Sequence, residues 1–141
     1  KEEVDRDKEV EIEKAEVVEE GTDATVVAWG AMRPEAVKAA EEVSGDIEVV
    51  DLKTIYPTDF ETVIESVQKT GRCVVLHEAP KTGGFGAEIA ARINEEALLH
   101  LEAPVERVTG PDVPYPLYTL EDYYMPDKNR TASKLEEVLE F

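Results

Sequence analysis

Cysteine is nearly absent from this 141-residue chain: Cys73 is the only one, and it sits in an apolar run. That excludes a disulfide framework and a cysteine-ligated metal cluster. Histidine is as scarce. His77 and His100 lie far apart in sequence and give no ligand spacing, so no metal site is expected. No apolar run approaches the length of a membrane span, and the first residues have neither the basic nor the apolar region of a secretory signal. A cytoplasmic protein, cut from a longer chain, is expected. Positive charge is the remaining shortage: 15 Lys and Arg against 33 Asp and Glu leave a net charge of -18. Such a chain repels nucleic acid and anionic membranes, and a basic partner surface is its natural complement. The acid excess also suits a protein adapted to concentrated salt, which screens self-repulsion.

What is present reads as one α/β domain. Residues 1–14 are nearly all charge, with Val4, Val10 and Ile12 interleaved, and are expected to be an acidic linker rather than the start of a core. Strands are predicted over 15–19, 24–29, 47–52, 73–76 and 105–108. Helices are predicted from Pro34 to Ser44-Gly45, from a capping box at Thr58-Asp59-Phe60-Glu61 to Gly71, from Phe85 to Leu101, and through Leu135, Val138 and Leu139 to Phe141. Alternating strands and helices predict a three-layer α/β/α arrangement around a mostly parallel sheet. Residues 111–126, rich in Pro and Tyr, are too long and too aromatic for an ordinary connection and are expected to pack on something.

The chain is organised around 72–101, where an apolar strand runs through a glycine turn into a helix. His77-Glu78 falls at the end of that strand, where open parallel sheets place ligand sites, and a histidine there could serve as acid or base. With no nucleophile or second histidine nearby, a strand-capping residue that bonds the neighbouring loop is the better reading. His100 is expected to be merely exposed. The turn Gly83-Gly84-Phe85-Gly86 could offer free amides to phosphate. Its spacing is neither that of a Walker loop nor that of a dinucleotide fingerprint, so close backbone packing is preferred. The carboxylates are too numerous for any pair to be singled out as catalytic.

His77-Glu78-Ala79-Pro80 with 82–89 (TGGFGAEI), and then 51–59 (DLKTIYPTD), Glu102-Ala103-Pro104, Arg107-Val108-Thr109-Gly110, Asp112-Val113-Pro114-Tyr115-Pro116 and Tyr124-Met125-Pro126, together resemble one family. It is the C-terminal, transketolase-C-terminal-like domain of the beta subunit of the 2-oxoacid dehydrogenase first component, the decarboxylase of the pyruvate and branched-chain complexes. The resemblance covers about 13–141. It implies a five-stranded mixed sheet whose first strand is antiparallel, and an N-terminal thiamine-diphosphate-binding domain preceding residues 1–14. It implies no catalytic, cofactor-binding or metal-binding residue in this chain, thiamine diphosphate and Mg being held elsewhere in the full enzyme.

The resemblance further implies an assembly role, in a heterotetramer with alpha subunits and a second beta subunit. Gly83, Gly84, Phe85, Gly86, Tyr124 and Pro126 would lie at subunit contacts, and Glu102 and the terminal Phe141 would dock the basic subunit-binding domain of a dihydrolipoyl acyltransferase. Three positions depart from the family pattern: Glu102 where Asp is common, Lys53 where Arg is usual, and Glu13 in place of Gly. Segments 101–104 and 124–128 look more like branched-chain than pyruvate members, and the 2-oxoacid stays open. Two other readings are the corresponding domain of transketolase or deoxyxylulose-phosphate synthase, and a free-standing flavodoxin-like module binding a nucleotide or anion at Gly83.

Overall fold

The computed structural model describes residues 11–141. Most of the linker expected over 1–14 lies outside them. Five strands, β1 (Glu16–Glu19), β2 (Ala24–Ala28), β3 (Ile47–Asp51), β4 (Cys73–Pro80) and β5 (Glu106–Gly110), form one sheet in the order β1-β3-β2-β4-β5. β1 is antiparallel to β3 and the other pairings are parallel. This is the mixed three-layer architecture expected.

Successive strand residues point to opposite faces, so each strand feeds two cores. Val26, Val49, Val74 and Leu76 pack under α1 (Met32–Ala40) and α5 (Lys128–Leu139), against Met32, Ala36 and Leu135. Val27, Val50, Cys73 and Val75 pack under α2 (Phe60–Thr70) and α3 (Gly86–Ala97), against Val63, Val67, Ile89 and Ile93. Cys73 is fully buried, and burial pushes its thiol up to about 12.

Polar groups inside the sheet are matched. The Thr25 hydroxyl lies 2.7 Å from those of both Ser66 and Thr70, beneath α2. Glu48, 1% exposed, bonds Lys69. Burial alone would raise its carboxyl above the ordinary range, but bonds from Lys69, Ser66 and the Gly21 N–H hold it below.

Several boundaries differ from the sequence expectation. Asp59, not Thr58, caps α2: its carboxylate accepts from the Thr62 N–H, while the Thr58 hydroxyl turns back to the Ile55 carbonyl. α2 ends at Gly71, whose φ of +71° is the left-handed stop that glycine permits. β4 runs on to Pro80 through a register shift, so His77 lies within the strand rather than at its end. α3 stops at Ala97 and a 3₁₀ turn, Leu98–His100, follows; His100 is exposed. α1 stops at Ala40, leaving Val43 half-buried beyond it, and α5 stops at Leu139, short of Phe141. Glu13, where the resemblance leads one to expect Gly, holds φ +75°, a conformation that favours glycine.

The long segment after β5 packs through its aromatics. It contains a 3₁₀ turn (Tyr118–Leu120) and α4 (Glu121–Tyr124). Tyr124 is buried and meets Tyr115 edge-on at 4.8 Å between centroids. Gly110 makes room for it, since a Cβ there would lie 2.5 Å from the Tyr124 ring.

Candidate functional site

The sheet fixes where a crevice can open. From β2 the chain passes through α1 to β3 on one side, then returns over the other face through α2 to β4 on the opposite side of β2. The connections therefore diverge between β2 and β4, and at such a switch point the carboxyl ends of the strands leave a gap. A cavity of about 600 Å³ opens at this end of the sheet. Trp29, directly after β2, and Phe85, Tyr115 and Tyr124 wall it with rings; Ile55 and Val113 contribute apolar surface, and His77 and Glu78 contribute polar atoms.

His77 is the chemical centre of this arrangement. Its ring stacks on Trp29, with centroids 5.3 Å apart and 11° between planes, and Phe85 meets Trp29 edge-on at 6.1 Å. The residue is 1% exposed, and neither ring nitrogen has a hydrogen-bond partner. The bond to the neighbouring loop expected from sequence is reduced to an approach to the Ala79 backbone, which acts to raise the imidazole. Burial first, and then the Arg107 charge, lower the imidazole below its ordinary range, which keeps it neutral near pH 7.

The glycine turn is the other half of the same packing unit. A Cβ on Gly86 would lie 2.4 Å from His77 Nε2; one on Gly84 would lie 2.6 Å from His77 Cε1 and 2.3 Å from the Pro80 carbonyl oxygen. Gly83, at φ +74°, is needed for its conformation alone, because a Cβ there meets nothing. The imidazole fills the space beside Gly84 and Gly86, whereas Gly83 stands open and exposed. Thr82 then ties the turn to the loop after β5, its N–H and hydroxyl donating to Asp112 at 2.8 and 2.7 Å. The backbone bond from Thr82, with its hydroxyl, holds the Asp112 carboxyl below the ordinary range.

The residues expected at subunit contacts divide by depth. Gly84, Gly86, Tyr124 and Pro126 are buried inside the chain, Phe85 is half-buried, and Gly83 is exposed. The surface at this end is made instead by Ile55, Tyr56, Leu117, Tyr118, Leu120 and Tyr123, large apolar side chains left exposed. Sequence reasoning missed them. The signal was there, in a Tyr- and Leu-bearing segment with no helical or strand period to bury it.

Glu102 and Phe141 belong to the opposite end. The Glu102 N–H donates to the Gly71 carbonyl, next to Arg72 at the start of β4, and its carboxylate pairs with Arg72 Nη1 at 2.7 Å. The side chain is 60% exposed but has a cation of its own. α5 descends from Arg130, which bonds the Thr109 carbonyl at the end of β5, to Leu139, which packs near Gly45 before β3. Phe141 therefore follows at the amino end of the sheet, 76% exposed.

A mixed sheet covered on both faces, with an aromatic crevice at its switch point and no group of three metal-ligating side chains among the described residues, defines a three-layer α/β domain. The chain belongs to the transketolase C-terminal domain family, whose model matches residues 13–131. It is 50% identical to the mitochondrial 2-oxoisovalerate dehydrogenase subunit beta of Dictyostelium discoideum, over 94% of this chain and 37% of that protein. It is 44% identical to the pyruvate dehydrogenase E1 component subunit beta of Staphylococcus aureus, over 94% of this chain and 42% of that one. The chain thus spans less than half the length of these relatives.

Among solved structures, a split-gene transketolase in an inactive beta4 tetramer matches with a TM-score of 0.84 at 29% identity, over 99% of this chain and 46% of the other. A 2-oxoglutarate:ferredoxin oxidoreductase from Magnetococcus marinus shares the fold alone, with a TM-score of 0.57 at 12% identity over 89% of this chain and 19% of the other. No helix among the described residues is long and apolar enough to cross a membrane.

Proposed function

We propose that this chain is the assembly and docking part of the beta subunit of a thiamine-diphosphate-dependent 2-oxoacid dehydrogenase. The observation that carries this reading is identity of 50% and 44%, over nearly the whole chain, to beta subunits of 2-oxoisovalerate and pyruvate dehydrogenases. The transketolase reading rests on a weaker likeness, at 29%. A free-standing nucleotide-binding module would use the glycine turn, of which Gly84 and Gly86 are instead packed against His77.

The described residues do not fit thiamine diphosphate with its metal. Mg²⁺ needs a set of oxygen ligands, and no cluster of three candidate ligands occurs among them, while Gly84 and Gly86 of the turn that could cradle a diphosphate are packed against His77. Catalysis in the full enzyme is assigned to residues outside this stretch. The isolated chain, supplied with thiamine diphosphate and Mg²⁺, should turn over no 2-oxoacid; measurable decarboxylation by it would overturn the assignment.

Assembly is supported by the apolar rim at the carboxyl end. Tyr56, Leu117, Tyr118 and Tyr123 are each at least 85% exposed and lie on or beside the segments that wall the crevice. Exposed rings of this kind mark surfaces that alpha subunits and a second beta subunit would cover. Docking of a basic subunit-binding domain of the acyltransferase is assigned to the amino end, at Glu102 and Phe141. The Arg72 pair means that an incoming cation shares the Glu102 carboxylate rather than meeting it bare.

In the assembled enzyme, Glu102→Ala or deletion of Phe141 should weaken docking by about 1–3 kcal/mol, leaving decarboxylation by the free heterotetramer unchanged. Titration calorimetry with the docking domain measures this. Wild-type affinity in both variants would move the docking site elsewhere.

A further inference from the structure

Among the described residues, carboxylates are exposed to water or given a partner, with one exception. Glu16, Glu48, Asp51 and Glu106, all buried or half-buried, hold cations, while Glu35, Asp59, Glu121 and Asp127 accept hydrogen bonds. Glu78 is half-buried too, and among the described residues its side chain has neither an ion pair nor a donor. Taking a carboxylate part-way out of water without compensation is unfavourable.

Its position follows from β4. His77 is in register with Thr109 and Pro80 with Gly110, so Glu78 and Ala79 are the extra residues of a bulge, a device that re-aims side chains. Glu78 thereby comes to the wall of the aromatic crevice, as the one charged side chain among the described residues that line it. Its charge reaches the Tyr115 phenol, which is pushed up to about 12, by its bond to Glu121 first and by Glu78 among the smaller causes. Arg107, in register with Val75 and bonded to the Lys81 carbonyl, forms no ion pair with Glu78. His77 is neutral near pH 7 and does not repel a cation.

The remaining walls suit a flat cation. Two edge-on ring pairs, Trp29 with Phe85 and Tyr115 with Tyr124, line a cavity of about 600 Å³. Ring faces attract cations, and a guanidinium is planar, weakly hydrated and forked to match a carboxylate. Around this cavity stand the exposed Tyr56, Leu117, Tyr118 and Tyr123. A surface that covers them completes the desolvation of Glu78, and must therefore bring a positive charge to it.

We propose that an arginine of the subunit covering this rim enters the crevice, its guanidinium paired with the Glu78 carboxylate among the aromatic rings. A lysine ammonium would hold its water more tightly and has no plane to stack. The proposal rests on the assembly reading above and adds to it the chemistry of the group that the crevice receives.

The test is the dissociation constant of the assembled protein that contains this chain, measured by sedimentation over a dilution series, for wild type, Glu78→Gln, Glu78→Asp and Tyr118→Ser. Glu78→Gln keeps the shape and removes the charge, and should weaken assembly about tenfold or more; Glu78→Asp, with the charge on a shorter reach, should fall between. Because Glu78 has no partner within the chain, thermal unfolding of both Glu78 variants should match wild type. Nα-acetyl-arginine amide should promote dissociation of wild type and not of Glu78→Gln, and its uncharged analogue Nα-acetyl-citrulline amide should act on neither. Weakening by Tyr118→Ser, with assembly of Glu78→Gln unchanged or tighter, would overturn the arginine and leave the assembly reading standing. Wild-type assembly in all three variants would remove the rim as an interface, and the arginine with it.

Discussion

His77 and the two glycines beneath it act as one unit, and their substitution costs should separate accordingly. Gly86→Ala drives a Cβ into the imidazole, an overpacking of about 1–3 kcal/mol, and the extra His77→Ala substitution should relieve most of it. Gly84→Ala should not be relieved, because its Cβ also meets the Pro80 carbonyl. Gly83→Ala should cost about 1–2 kcal/mol, for backbone conformation alone. Denaturant unfolding of the set, with and without His77, measures these differences; equal rescue of Gly84→Ala and Gly86→Ala would contradict the packing described.

The same histidine gives a pH dependence with a definite sign. Its folded pKa is lowered, so below the ordinary value of about 6.5 the unfolded chain binds a proton that the folded chain refuses. Its contribution is complete at neutral pH and is lost as pH falls through that value. Protonation of the many carboxylates acts in parallel, so the quantity to measure is the difference in stability between wild type and His77→Gln. That difference should narrow from pH 7.5 to pH 5. The sequence marked His77 as a residue to watch, but its stacking on Trp29, 48 positions earlier, is a tertiary fact that no local pattern carries.

At the scale of elements, two carboxylates hold α2 in place in different ways. Asp59 caps the helix and also accepts from the Ala15 N–H at 3.0 Å, tying the entry to β1 onto the helix start. Asp59→Ala should cost about 1–2 kcal/mol, seen as a lowered denaturant midpoint. Glu48 is buried under the last turn of α2 with Lys69 over it. Lys69→Met should cost about 1–3 kcal/mol, because the buried Glu48 carboxylate loses its partly exposed cation, whereas Glu48→Gln with Lys69→Met should recover part of the loss. If the single and double variants were equally unstable, the pair would contribute nothing specific.

The elements themselves were legible. Strand, helix and glycine stops follow from period and punctuation, which act over a few residues. The cap at Asp59 rather than Thr58, the extension of β4 to Pro80 and the depth of Tyr124 depend on neighbours brought in from elsewhere in the chain. Family resemblance supplied the antiparallel first strand; residue spacing could not.

For the whole molecule the dominant fact is charge. Most described bases are already tied to carboxylates, and those exposed pairs weaken only slightly in salt, while the net -18 repels itself over distances that salt shortens to roughly 3 Å at 1 M. The melting temperature should therefore rise as potassium chloride goes from dilute to molar; a flat or falling trend would show that repulsion is not limiting.

Cys73 turns this into something that can be timed. A single thiol, sealed in β4 and pushed up to about 12, cannot react until the sheet opens, so its alkylation is a clock for that opening. Its rate in native buffer should track the global unfolding free energy, and should rise with denaturant as that free energy falls. Prompt labelling that ignores denaturant would mean that β4 breathes alone, and that the two cores it joins are not one cooperative unit.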